Sequence, residues 1–96
     1  MEEIVYYSEL YDLYKKLLTD KQQEYFEEYY FNNLSLSEIS NDFDISRNAV
    51  SKQLAVIREK LDEYELKLGL YKKLEQIKKS VDDERLKDKI IDILLS

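Results

Sequence analysis

Residues 34–54 read LSLSEISNDFDISRNAVSKQL, and their spacing predicts two short helices joined by a tight turn. Ser35 is placed to cap the first helix, and Glu38 stands three residues on, as a capping box requires. Leu36, Ile39 and Phe43 recur at helical spacing and share one apolar face. Asp44 fills the turn, where a short polar side chain tolerates a left-handed backbone. Ile45 is expected to plug the space between the helices, and Ser40 is small enough to let them close. Ser46 is a second N-cap. Beyond it Arg47, Asn48, Ser51 and Lys52 fall on the open side of the new helix, while Ala49, Val50 and Leu54 make its buried side. This is the pattern of a helix-turn-helix, whose second helix lies in a DNA major groove with its first residues at base edges. Ser46, Arg47, Asn48, Ser51, Lys52 and, further along, Arg58 are therefore the candidate nucleic-acid-binding residues. Two capped helices around a polar turn also occur in bundles that bind nothing, so the motif speaks to fold before it speaks to function.

The rest of the chain agrees with an all-α fold. In 96 residues proline is absent and glycine occurs once, at Gly69, whereas turn-rich β folds need more of both. A hydrophobic share of 44% is enough to build a core at this length. Ile4, Tyr7, Tyr11, Tyr14 and Leu18 fall three or four apart, with Leu10 and Leu17 widening the stripe, and predict a first helix over residues 3–18. Thr19 caps a second helix, with Asp20 in its first turn, and Asn32 and Asn33 stop it. Seven of the nine tyrosines precede residue 31; their helical spacing and acidic flanks point to a core of rings with wet hydroxyls. Tyr6, off the main stripe, is the tyrosine expected to meet a partner.

The motif's second helix continues well past a minimal one. Val50, Leu54, Ile57, Leu61, Tyr64, Leu68 and Tyr71 alternate steps of four and three, a seam suited to packing along another helix. It could close a hairpin with Leu74, Ile77 and Val81, or pair two chains; with the apolar ending at Leu94 and Leu95 it leans towards a homodimer. Gly69 is the one candidate break, and the spacing leaves open whether the helix stops there. A last helix is expected after Ser80, its apolar face made by Leu86, Ile90, Ile93 and Leu94. The division expected is a helix-turn-helix domain over residues 1–70, including the long reading helix, and a C-terminal helical extension over residues 71–96.

Charge and chemistry narrow the function. The net charge is −6, but residues 1–44 carry −8 and residues 45–96 carry +2. Cations must be local to phosphates to help binding, and here they follow the turn. The absence of histidine and cysteine removes His-based acid–base work, Ser-His-Asp and Cys-His arrangements and the usual zinc sites. One glycine cannot build a phosphate loop. The expectation is a non-enzyme with no cofactor and no metal. No run approaches the roughly twenty apolar residues of a membrane span, and a cytoplasmic protein with no membrane partner is the simplest expectation.

Over residues 10–71 the order LLTDKQ, YY, LSLSEI and ISRNAV, continued by LDEYELKLGLY, resembles the YlxM family of small bacterial helix-turn-helix proteins. That family's motif is similar to the promoter-reading C-terminal domain of sigma factors. Its members are encoded beside the GTPase of the signal recognition particle and are regarded as non-enzymatic accessory factors of that targeting pathway. The resemblance implies association with that GTPase, with its RNA, or with both. Ser51 stands where the family favours an aromatic residue, and Lys52 where it often has an acid. Two other functions remain open: a DNA-binding regulator, and a protein-binding adaptor that uses the acidic first half without nucleic acid.

Overall fold

A computed structural model of the chain describes residues 3–96 and shows an all-α protein, with no strand among the described residues. Its helices are α1 (Glu3–Tyr14), α2 (Asp20–Phe26), α3 (Leu36–Phe43), α4 (Arg47–Leu68), α5 (Leu70–Ser80) and α6 (Glu84–Leu95). α1 is shorter than its apolar stripe predicts. It tightens into a 3-10 turn over Lys15–Leu17 and becomes extended at Leu18. The Gln23 side-chain amide holds that end by donating to the carbonyls of Lys15 (2.9 Å) and Leu18 (3.2 Å). Leu17 is thereby turned out and half exposed, while Leu18 is buried.

Thr19 starts α2 with a reciprocal capping box. Its hydroxyl accepts from the Gln22 amide at 3.1 Å, and the Gln22 side chain accepts from the Thr19 amide at 3.0 Å. α2 runs into a wide π turn over Glu27–Phe31, closed by the Asn32 amide on the Glu27 carbonyl at 2.9 Å. Asn33 then takes the left-handed conformation at φ 58°. The Leu34 amide reaches back six residues to the Glu28 carbonyl at 3.0 Å, one residue further than an ordinary Schellman bond because the π turn is wider.

α4 is the spine. Val50, Leu54, Ile57 and Leu61 are fully buried or nearly so, packed with Leu10, Tyr11, Tyr14, Leu18, Tyr25, Phe26 and Ile39. The heptad seam is thus consumed inside the chain, against α1, α2 and α3, and neither α5 nor a second chain is needed to cover it. Beyond Leu61 the seam opens: Leu68 is half exposed. Aromatic rings fill the middle, Tyr11 stacking on Phe26 and Phe26 on Tyr30, both at 4.2 Å between centroids. Their hydroxyls find carboxylates at the rim. Tyr7 donates to Asp62 (2.9 Å) and Tyr14 to Glu65 (2.7 Å), tying α1 to α4, and Tyr11 donates to Glu27. Tyr6 proves to be part of this packing as well. Its ring meets Tyr7 and Tyr71 edge-on at 5.4 and 5.2 Å, because the approach of α5 to α1 covers the flank on which Tyr6 lies.

Gly69 breaks the long helix, in the left-handed region at φ 62°. The Glu65 carboxylate bridges the break by accepting from the amides of Tyr71 (2.9 Å) and Lys72 (3.2 Å), the otherwise unpaired donors that begin α5. The Tyr14 hydroxyl accepts from the Leu70 amide at 3.0 Å. α6 starts later than Ser80: the Ser80 hydroxyl bonds back to the Gln76 carbonyl at 2.8 Å and finishes α5. Asp83 is the cap, its carboxylate accepting from the Arg85 amide at 2.9 Å. No residue of α6 is buried. Ile91 and Leu95 face Leu13 and Leu74 across a cavity of about 170 Å³.

Candidate nucleic-acid interface

The motif forms as its residues dictate. Ser35 accepts from the Glu38 amide at 3.1 Å and Glu38 from the Ser35 amide at 3.0 Å. That bond to the Ser35 amide holds the Glu38 carboxyl below the ordinary carboxylate range. Ile39 and Ser40 are buried, and the small side chain at Ser40 lets α3 lie close on α4. Asp44 makes the turn at φ 54°, ψ 47°, and the Ile45 amide reaches the Ser40 carbonyl at 3.1 Å. Ile45 and Phe43 pack against the core. The Lys21 ammonium lies 4.6 Å from the centre of the Phe43 ring, a cation–π contact that backs the turn from α2.

Ser46 opens α4 by accepting from the Ala49 amide at 3.0 Å, and its hydroxyl proton remains to be given. Ser46, Arg47, Asn48 and Ser51, with Leu36 from α3, line an open recess of about 400 Å³. The four polar residues are exposed, and so is Lys52 beside them. Ser46 satisfies Ala49, so the amides of Arg47 and Asn48 stand at the positive end of the helix dipole without an intrahelical acceptor. The recess therefore presents a guanidinium, two hydroxyls, a carboxamide and two backbone donors, a set suited to phosphate and base-edge oxygens.

The structure does not bring Arg58 into this group. It lies three turns along α4, half buried, and donates to the Tyr30 hydroxyl at 3.2 Å. The basic run that follows is also partly spent: Lys67 pairs with Glu63 at 2.8 Å and Lys78 with Glu75 at 3.5 Å. Around the recess the acids of α3 and the turn, Glu38, Asp42 and Asp44, are exposed and oppose a long phosphate track on that side. Among the described residues no cluster of acids could hold a metal ion. Nor is any helix among them long and apolar enough to cross a membrane.

Sequence comparison places this geometry in a family. The profile of the YlxM/p13-like helix-turn-helix proteins, UPF0122, matches residues 1–94. The chain belongs to that family. The UPF0122 protein of Caldanaerobacter subterraneus subsp. tengcongensis is 46% identical over 81 residues, covering 84% of this chain and 69% of that protein. The UPF0122 protein of Halalkalibacterium halodurans is 38% identical over 94 residues, covering 91% and 86%. One from a Thermoanaerobacter species is 42% identical over 100 aligned positions, covering 97% and 86%. The UPF0122 family is described by its helix-turn-helix.

Proposed function

We propose that this protein is a non-catalytic accessory factor of the signal recognition particle, which it joins by touching the particle's RNA with the first two turns of α4. The observation that supports this is the recess at Ser46, Arg47, Asn48 and Ser51, open to solvent and flanked by Lys52. There the spine helix leaves the core and offers phosphate-binding groups on a rigid base. Membership of the YlxM family, whose members are regarded as accessory factors of that pathway, supports the particle's RNA as the ligand in this reading. The same particle's GTPase is the second contact in this reading, met by the acidic first half, where Ile4, Val5 and Phe31 are exposed.

The contact is small. Two cations, Arg47 and Lys52, reach the phosphates, so the slope of log K against log salt should be about −2, far shallower than that of a repressor with many phosphate contacts. The test is anisotropy of the labelled particle RNA and of a DNA duplex of equal length, each at several salt concentrations. Binding of the RNA in preference to the duplex, lost in Arg47→Ala and Lys52→Ala, is the expected result. Tight, sequence-dependent binding of the duplex would instead favour a DNA-binding regulator, to which the helix-turn-helix geometry gives independent support. Binding of neither nucleic acid, with the GTPase retained on Arg47→Ala protein, would leave a purely protein-binding adaptor.

A further inference from the structure

Helix α6 is apolar on two sides. Ile91 and Leu95 turn inward to α1 and α5, whereas Leu86, Ile90 and Ile93 share the opposite face at steps of four and three. On that face Ile93 is 66% exposed and Leu86 47% exposed. Ile90 also lines an open groove of about 520 Å³ between α5 and α6, with Ile77 and Val81 as its other apolar residues and Lys73, Gln76 and Ser80 as its polar lining. Face and groove make one continuous apolar ledge at the end of the molecule remote from the recess. A ledge of this kind on a small protein marks a contact surface.

We infer that a second copy of this chain occupies the ledge, α6 packing antiparallel on its own counterpart about a two-fold axis. Charge selects this occupant. Residues 1–44 carry −8, so two such halves repel each other. Residues 71–96 carry seven basic and six acidic side chains and are close to neutral, so two such ends meet without strong repulsion. The rim of α6 is self-complementary as well. Lys89 and Asp92 are exposed one turn apart beside the apolar face, and among the described residues neither forms an ion pair within the chain. An antiparallel two-fold contact centred near Ile90 sets Lys89 of each copy against Asp92 of the other, the reciprocal pairing an isologous interface requires. The contact leaves Arg47, Asn48, Ser51 and Lys52 of both copies open.

The test is sedimentation velocity of the full chain over a range of concentrations, without nucleic acid or GTPase, so that its outcome is independent of the proposed function. A concentration-dependent dimer is expected. Ile93→Glu should weaken it by at least about tenfold, because an unpaired carboxylate would have to be buried, with helicity unchanged since the position is exposed. Lys89→Asp and Asp92→Lys should each weaken the dimer, and the double exchange should restore it. A chain that stays monomeric throughout, or a dimer indifferent to Ile93→Glu, overturns the inference. Single reversals that the double exchange fails to rescue overturn the antiparallel pairing.

Discussion

At the scale of single residues, two side chains carry more than their exposure suggests. The Ser46 hydroxyl is the only side-chain cap of the spine helix, and Ser46→Ala should lower stability by about 1 kcal/mol, read from denaturant unfolding. Because it also loosens the turn on which Arg47 and Asn48 stand, RNA affinity should fall with it. Tyr14 is the second. Its ring is buried and its hydroxyl joins α1 to both sides of the Gly69 break. Burial, and then the bond to Glu65, push its hydroxyl up to about 12, and Tyr7 and Tyr71 are raised to about 12, burial again being the largest cause. Each ionises near 10 when unfolded, so the folded state holds the protons more tightly. Their contribution is complete below pH 10 and is lost as pH rises towards 12. Unfolding midpoints measured from pH 8 to 12 should drop steeply above 10, and Tyr14→Phe should flatten that drop while costing roughly 1–2 kcal/mol at neutral pH. Spacing alone revealed the Ser46 cap and the buried Tyr14 ring. It could not reveal that Asp62, Glu65 and Glu27 are the acceptors of the tyrosine hydroxyls, since the first two lie some fifty residues away from their tyrosines.

At the scale of elements, the break at Gly69 is where local chemistry decides the course of the chain. A Cβ there would meet nothing within 4 Å, yet φ is 62°. Gly69→Ala should therefore cost about 1 kcal/mol through backbone strain alone, with no sign of a clash in the core. Glu65→Ala should do more harm, since it strips two amides of α5 and the Tyr14 hydroxyl of their acceptor at once. Thermal melts of the two variants would rank them. Gly69 was legible as the candidate stop because only one glycine exists, but that the helix ends there is decided by the left-handed backbone, at φ 62°. The start of α6 was not: a helix was expected directly after Ser80, but the Ser80 hydroxyl has a nearer acceptor in the preceding turn, the Gln76 carbonyl, and Asp83 is the cap. The seam on α4 was legible as a seam, but period alone does not name the surface that covers it, and three shorter helices of the same chain do so.

At the scale of the whole molecule, stability is unevenly shared. α4 contributes four buried apolar residues and α6 none. Hydrogen exchange should find the amides of α4 from Val50 to Leu61 slowest and those of α6 fast, because opening α6 exposes little apolar surface. Dimerisation through the ledge should slow α6 selectively as concentration rises. The candidate site follows the same division. The exposure of Arg47, Asn48, Ser51 and Lys52 was legible because each follows the Ser46 cap at a countable distance. Arg58, grouped with them by charge, is drawn instead to Tyr30, a residue on the π turn that no count along α4 could have pointed to.

The π turn over Glu27–Phe31 has a consequence for how the chain tolerates change. It takes up an additional residue within one winding, so a deletion inside it could relax to an ordinary α-helical coil with little local penalty. A deletion in the regular coil of α2 before it would instead turn everything downstream by about 100° and shift it by about 1.5 Å along the axis. Ile39 would then rotate off the spine and the Ser46 end would point elsewhere, so the chain's length should be far less negotiable in α2 than in the π turn that follows it.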